Sequence, residues 1–110
     1  MEIERENIDQ GVLLHLRGRF DTLAAPEFEQ QIMTIIEEGT TSVIINCKEM
    51  NYMSSSILRV FLMALKSIRR NNGKIVVADL QTHIKEVFDI SGFLDLFEIF
   101  STKEEALAAI

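Results

Sequence analysis

The sequence has a single cysteine and no long run of apolar residues. One cysteine cannot build a disulfide framework, which favours a reducing compartment, and the position of Cys47 inside the apolar run SVIINC predicts a small buried thiol. No stretch approaches the ~20 consecutive apolar residues of a membrane span, and the charged start MEIERENIDQ differs from the apolar core of a signal peptide. We therefore expect a cytoplasmic protein with no direct membrane insertion.

Motifs of the common enzyme classes are also absent. The five glycines are scattered and form no phosphate-binding loop. The run SSS has neither the flanking glycines of a nucleophile elbow nor a lysine three residues after any of its serines. His15 and His83 are far apart in the sequence and have no cysteine nearby, so a zinc site lacks ligands. We expect no enzyme activity, no cofactor and no metal ion.

The length and composition are those of one ordinary domain. The chain has 110 residues, of which 47% are apolar, so we expect a single domain over residues 1–110 that needs no disulfide or structural metal. The net charge of −6 argues against binding to nucleic acid. Basic charge is concentrated between residues 54 and 72, which carry +4 and no acid, so the rest of the chain carries −10.

Hydrophobic periodicity predicts nine alternating elements. EIERENI and GVLLHLRGRF alternate like the strands of a hairpin that turns at residues 9–11, and SVIINC, KIVVADL and LFEIFS are further strands. Amphipathic segments after FDTLAAP and after the serine cluster predict two helices, and QTHIKEVFDISG and TKEEALAAI predict two more. The order ββαβαβαβα indicates an α/β fold with a mixed, mostly parallel sheet of four to five strands and about four helices.

Capping residues mark the ends of several predicted helices. Asp21 or Thr22 can cap the first helix, and Gly73 stands in the capping position at the end of the second. Ser101 or Thr102 can open the last helix with a capping box.

The helix predicted after the serines has two contrasting sides at 100° per residue. One side carries the apolar stripe expected to face the core, namely Ile57, Leu58, Phe61, Leu62, Leu65 and Ile68. The opposite side displays Arg59, Met63, Lys66, Ser67 and Arg70. A methionine among basic residues is typical of an interaction surface, and a solvated basic face with one apolar residue is the alternative interpretation.

Three consecutive serines, Ser54, Ser55 and Ser56, precede this helix. A serine hydroxyl at the N-cap accepts a hydrogen bond from a free helix N–H, and one serine is enough for that purpose. The alternative is a phosphorylation site, because a phosphate at a helix N-terminus meets free N–H groups and the positive end of the helix dipole. Such a group would change what the surface binds rather than how the domain folds.

Four segments, taken in order, carry a resemblance to a known family. LLHLRGRFDTLAAPEFEQQI resembles its second strand, Gly-x-x-Asp loop and first helix, and SVIINCKEMNYM resembles its central strand. SSSILRVFLMALKSIRRNNGKIVVADL resembles its switch helix with the following strand, and IKEVFDISGFLDLFEIFSTKEEAL resembles its C-terminal third. Over nearly its whole length the chain thus resembles a STAS domain of the anti-sigma factor antagonist type, from bacterial partner-switching systems.

The resemblance implies a regulator of transcription that binds an anti-sigma factor serine kinase and thereby frees a sigma factor. In the family, the kinase phosphorylates a serine at the start of the switch helix, which ends binding, and a PP2C-type phosphatase restores it. The family motif Asp-Ser-Ser-Gly-Leu falls on residues 54–58, so Ser55 is the expected phosphorylation site, with Ser54 and Ser56 as alternatives. The expected partner-binding surface comprises Asp21, Ser54, Ser55, Ser56, Arg59, Met63, Ser67 and Arg70, on a monomer or weak homodimer.

Three residues differ from the family pattern. Ser54 stands in place of an aspartate, Ile57 in place of a glycine, and Arg59 where glycine is frequent. These differences leave open a phosphorylation-independent binding module, such as a subunit of a lipid-transport ABC system or a stressosome-like scaffold.

Overall fold

A computed structural model describes residues 1–110 of the chain. Five strands form one sheet in sequential order, namely β1 (Glu2–Ile8), β2 (Gly11–Phe20), β3 (Ser42–Met53), β4 (Lys74–Ala78) and β5 (Glu98–Phe100). Strand β1 pairs with β2 in the antiparallel sense, and every other neighbouring pair is parallel. The predicted mixed, mostly parallel sheet is confirmed.

Four α-helices connect or follow the parallel strands, namely α1 (Ala25–Glu37), α2 (Ser55–Arg70), α3 (Thr82–Ile90) and α4 (Lys103–Ala109). Two 3-10 turns, Thr22–Ala24 and Phe93–Asp95, precede α1 and β5. The predicted order of strands and helices is confirmed. None of these helices combines the length and the apolar character required to cross a bilayer.

Strand β3 is twice as long as its apolar run suggested. Its first part, Ser42–Asn46, lies between β2 and β4 and is mostly buried, as the run SVIINC predicts. Its second part continues to Met53 beside β2 alone, with two irregularities in the register, so that only every third side chain, Met50 and Met53, faces the core. The carboxyl ends of β2 and β3 therefore extend beyond β4.

Two hydrophobic clusters hold the layers together. The larger has 26 buried residues and lies between one face of the sheet and α1, α2 and α3. Its centre is Phe61 of α2, whose ring lies 5.5 Å from the rings of both Phe28 in α1 and Phe88 in α3. The smaller cluster joins α4 to the other face, through Ala106 and strand residues of opposite parity such as Leu13 and Ile44. Helix α2 is thus fixed from both sides by aromatic packing.

Cys47 is fully buried inside β3, as predicted. Burial raises the pKa of its thiol, because a thiolate would lose its hydration there. Since the thiolate is the reactive form, Cys47 is a packing residue in the folded protein.

The end of α2 differs from the predicted glycine cap. Asn72, with φ of 60°, is the residue in the left-handed conformation that ends the helix, and Gly73 follows it. Gly73 donates its N–H to Ile68 O at 2.8 Å, and a Cβ on Gly73 would lie 2.6 Å from Thr41 O. Glycine is needed there for close approach of two backbones rather than for a positive φ.

Candidate functional site

The candidate site lies where β2 and β3 end side by side. Phe20 and Met53 are paired in the parallel register, so the residues that follow them, Asp21 and Ser54, lie at the same edge of the sheet. Ser54 N donates to Phe20 O at 3.0 Å, which joins the two chain segments beyond the last strand pair. The sequence prediction that Asp21 belongs with the serine cluster agrees with this geometry.

Asp21 shapes the turn at this edge. Its Oδ1 accepts hydrogen bonds from Leu23 N at 3.1 Å and Ala24 N at 3.3 Å, and so caps the 3-10 turn Thr22–Ala24 rather than α1 itself. The N-cap of α1 is Ala24, which has no side-chain bond to offer. The predicted capping role of Asp21 is therefore met one turn earlier than expected, because a 3-10 turn is inserted before the helix.

Ser54 holds the N-cap position of α2 without capping it. Its backbone is extended, and its carbonyl accepts hydrogen bonds from Ile57 N at 3.1 Å and Leu58 N at 3.3 Å. Its hydroxyl makes no capping bond and is buried with no hydrogen-bond partner. The interpretation that a serine hydroxyl caps α2 is therefore wrong for Ser54, the serine at the N-cap, and the N–H groups of Ser55 and Ser56 have no acceptor in the chain.

The three serines differ in accessibility. Ser55 is exposed at the first position of α2, Ser56 is half-buried, and the Ser54 hydroxyl is enclosed. The Ser55 hydroxyl has no hydrogen bond to a histidine or a carboxylate of this chain, so no internal general base activates it. Ser55 thus presents an exposed hydroxyl beside free N–H groups at the positive end of the helix dipole, an environment that favours an anion such as a phosphate.

The outer face of α2 is basic and largely without ion pairs. Arg59, Lys66 and Arg70 are exposed, and no carboxylate lies within 4.0 Å of any of their charged nitrogens. Met63 lies among them and is 36% exposed. Four of the five residues predicted to lie on this face are exposed, and we call Arg59, Met63, Lys66 and Arg70 the basic face of α2.

Ser67 is the exception, since its side chain is buried. The prediction that it lies on the exposed face is wrong. Helix α2 packs on α1 as well as on the sheet, so its buried arc is wider than one apolar stripe and also includes Val60 and Ala64. Small residues such as alanine and serine fit a close contact of this kind.

Three residues of this surface were not found from the sequence. Leu23, in the 3-10 turn, is 89% exposed, the highest value among the large apolar residues of the chain. Arg19 and Tyr52 are paired across β2 and β3, with the Arg19 guanidinium carbon 3.9 Å from the centre of the Tyr52 ring. The sequence does contain one signal for Leu23. It is an apolar residue in the segment FDTLAAP, where neither a strand pattern nor a helix pattern requires one.

The comparisons with known proteins identify the class to which this fold and site belong. The chain belongs to the STAS domain family, whose model matches residues 2–106. BtrV of Bordetella bronchiseptica, a candidate anti-sigma factor antagonist, is 32% identical over 109 residues, which cover 99% of this chain and 94% of BtrV. The anti-sigma-B factor antagonist of Staphylococcus epidermidis is 28% identical, over 90% of this chain and 92% of that protein.

Solved structures have the same fold. The phosphorylated form of SpoIIAA, a Bacillus cell fate determinant, matches with a TM-score of 0.80 and 24% identity over 98% of each chain. A candidate anti-sigma factor antagonist of Thermotoga maritima matches with a TM-score of 0.93 and 17% identity, over 98% of this chain and 93% of that one. The family resemblance and the STAS fold predicted from the sequence are both confirmed.

Proposed function

We propose that the chain is an anti-sigma factor antagonist that binds a serine-kinase anti-sigma factor and is released when that kinase phosphorylates Ser55. A PP2C-type phosphatase restores binding in this scheme. The observation that carries the proposal is the exposed Ser55 hydroxyl at a helix N-terminus without a side-chain cap. The relatives that bear the name of anti-sigma factor antagonists supply the class of partner.

A phosphate on Ser55 would act on charge rather than on the fold. It adds about −1.5 to −2 charges and three acceptor oxygens next to the free N–H groups of Ser55 and Ser56. Arg59 is four residues further along α2 and is therefore on the same side of the helix. Arg59 and the helix dipole offset only part of this negative charge, so the basic charge that α2 offers to a partner decreases.

The replacement of the family glycine by Ile57 does not oppose this function. The Ile57 side chain is fully buried in the main hydrophobic cluster, so it adds no bulk at the exposed edge where a partner would approach. Ser55 lies two residues before it, on the exposed side. Of the differences from the family pattern, Arg59 is the one that alters the accessible surface.

Incubation with ATP and each serine-kinase anti-sigma factor encoded in the same genome tests the proposal by intact mass. We expect wild type to gain one phosphate and Ser55→Ala to gain none. Ser54→Ala and Ser56→Ala are matched controls and should be phosphorylated like wild type. A full mass gain on Ser55→Ala would remove the assignment to Ser55.

Affinity measurements with Ser55→Asp separate the switch from the alternative, a phosphorylation-independent binding module. Under the switch, a carboxylate at residue 55 weakens kinase binding at least about tenfold, which corresponds to about 1.4 kcal/mol. Ser55→Asn is the neutral control of similar size and should bind more tightly than Ser55→Asp. Equal affinities for wild type and Ser55→Asp would favour the constitutive module instead.

A further inference from the structure

We propose that Leu23 is the apolar anchor of the partner surface, and that the partner receives it in an apolar pocket rimmed by carboxylates. The inference rests on the proposed function, because it concerns the same binding event and the same edge of the sheet. It adds a residue outside the serine cluster and states the chemistry of the partner's contact surface.

Leu23 is exposed because the turn holds it outward. Asp21 Oδ1 bonds to Leu23 N and Ala24 N, and Asp21 O accepts a further bond from Ala24 N at 3.0 Å. Ala24 is buried against the main cluster, so the preceding residue cannot turn inward without breaking this packing. A side chain on a turn fixed in this way loses little backbone freedom when it is bound, which favours affinity.

The position of Leu23 makes it continuous with the proposed switch. The turn Thr22–Ala24 packs against α2, and Phe20, just before the turn, is hydrogen-bonded to Ser54. Arg19 and Tyr52 form a stacked pair at the same ends of β2 and β3. Arginine and tyrosine side chains at the same edge of the sheet as an exposed leucine match the enrichment of arginine and aromatic residues at interfaces.

Charge complementarity identifies the rim of the partner. The cations of the basic face of α2, Arg59, Lys66 and Arg70, have no carboxylate partner in this chain, although the chain is acidic overall. A partner that places carboxylates opposite them gains attraction and would be repelled by a phosphate on Ser55. Modification of Ser55 would therefore weaken the charged contacts that accompany the apolar contact of Leu23.

Truncation of Leu23 tests the inference against a matched control. Ile90, at the end of α3, is 87% exposed and so is almost equal to Leu23 in accessibility. Helix α3 begins beside β3, where His83 Nε2 is 2.8 Å from Asn51 O, and runs roughly 12 Å away from that edge before it reaches Ile90. The two variants, Leu23→Ala and Ile90→Ala, thus remove similar side chains from different ends of the molecule.

The experiment measures the Kd for each purified serine-kinase anti-sigma factor of the same genome by isothermal titration calorimetry. We expect Leu23→Ala to raise the Kd about 10- to 100-fold, because a buried leucine contributes that much to affinity. Ile90→Ala should leave the Kd unchanged, and Leu23→Met should restore most of the affinity, since it keeps an apolar side chain of similar volume on the same turn.

Three outcomes decide between the two proposals. Wild type that binds, together with an unchanged Kd for Leu23→Ala, overturns the anchor and leaves the proposed function standing. A loss of affinity in Leu23→Met equal to that in Leu23→Ala also overturns it, because the turn rather than an apolar contact would then be responsible. Wild type that binds none of the kinases overturns both proposals. Melting temperatures of the variants verify that each is folded.

Discussion

The three adjacent serines at the start of α2 have different surroundings. The Ser54 hydroxyl is enclosed without a partner, Ser56 is half-buried, and Ser55 is exposed. A kinase needs an accessible hydroxyl, so the exposure of Ser55 supports the proposal that it is the modified serine. The sequence could single out one of the three serines only through the family motif. Helical periodicity does not show which hydroxyl is covered by the end of a neighbouring strand.

The reactivity of the Cys47 sulfur tests whether the core around β3 is closed to solvent. Its pKa is raised by burial, so both the thiolate fraction and access to the sulfur are low in the folded protein. We expect alkylation by iodoacetamide in native buffer to be at least about 10³-fold slower than in denaturant, since it requires unfolding. Mass spectrometry over time measures this ratio, and native labelling at the denatured rate would contradict it.

The start of α2 and the start of α4 differ in whether a hydroxyl caps the helix. Ser54 holds the N-cap position of α2 with no side-chain bond, whereas Thr102 Oγ1 accepts from Glu105 N at 3.1 Å at the start of α4. Of the two hydrogen bonds of the capping box predicted for α4, the one from the Glu105 N–H to the threonine hydroxyl is formed. The Thr102 hydroxyl also lies 3.2 Å from Glu105 Oε1.

This difference predicts unequal effects of two alanine substitutions. Thr102→Ala should lower the free energy of unfolding by about 1 kcal/mol, the usual cost of losing a cap. Ser54→Ala should change it by less than about 0.5 kcal/mol, because a buried hydroxyl without a partner contributes no net hydrogen bond. Urea denaturation of both variants provides the measurement. A cost for Ser54→Ala as large as that for Thr102→Ala would show that the hydroxyl does cap α2.

The elements predicted well are those whose pattern depends on local burial. The hairpin turn after Ile8, the apolar strands around Ile44 and Val76, and the helix that ends before Gly92 all follow from periodicity and turn residues. The errors arise where a tertiary contact decides. Ser67 is buried because α2 also packs on α1. Periodicity alone predicted only the first half of β3, whereas the family resemblance covered the whole strand, whose second half extends because β2 continues beside it.

At the scale of the whole molecule, the two faces of the sheet have different roles. The face covered by α1, α2 and α3 contains the main core, whereas α4 covers only part of the other face. On the β1 side of that second face, Arg17 bonds to Glu4 at 2.7 Å, to Glu2 at 3.2 Å and to Glu49 at 2.6 Å. One arginine thus joins carboxylates of β1 and β3 across β2. This acidic face is separate from the basic face of α2.

The Arg17 cluster predicts how stability depends on pH. The hydrogen bond from Arg17, and then its positive charge, hold the pKa of Glu4 below its ordinary value of 4.5. A group whose pKa is lower in the folded state stabilises the fold above the unfolded pKa, and this contribution is lost as the pH falls through the folded pKa. Arg17→Met should therefore lower the urea midpoint at about pH 7 more than at about pH 3.

Lys66→Met is the control for this pH prediction, because it removes the same charge from a residue without a carboxylate partner. The difference in urea midpoint between Lys66→Met and wild type should change little between the two pH values. High salt should reduce the difference in urea midpoint between Arg17→Met and wild type at neutral pH, since exposed ion pairs are screened. If Arg17→Met instead lowers the midpoint equally at both pH values, its side chain acts through packing, and the Glu4 carboxylate contributes no acid-sensitive stability.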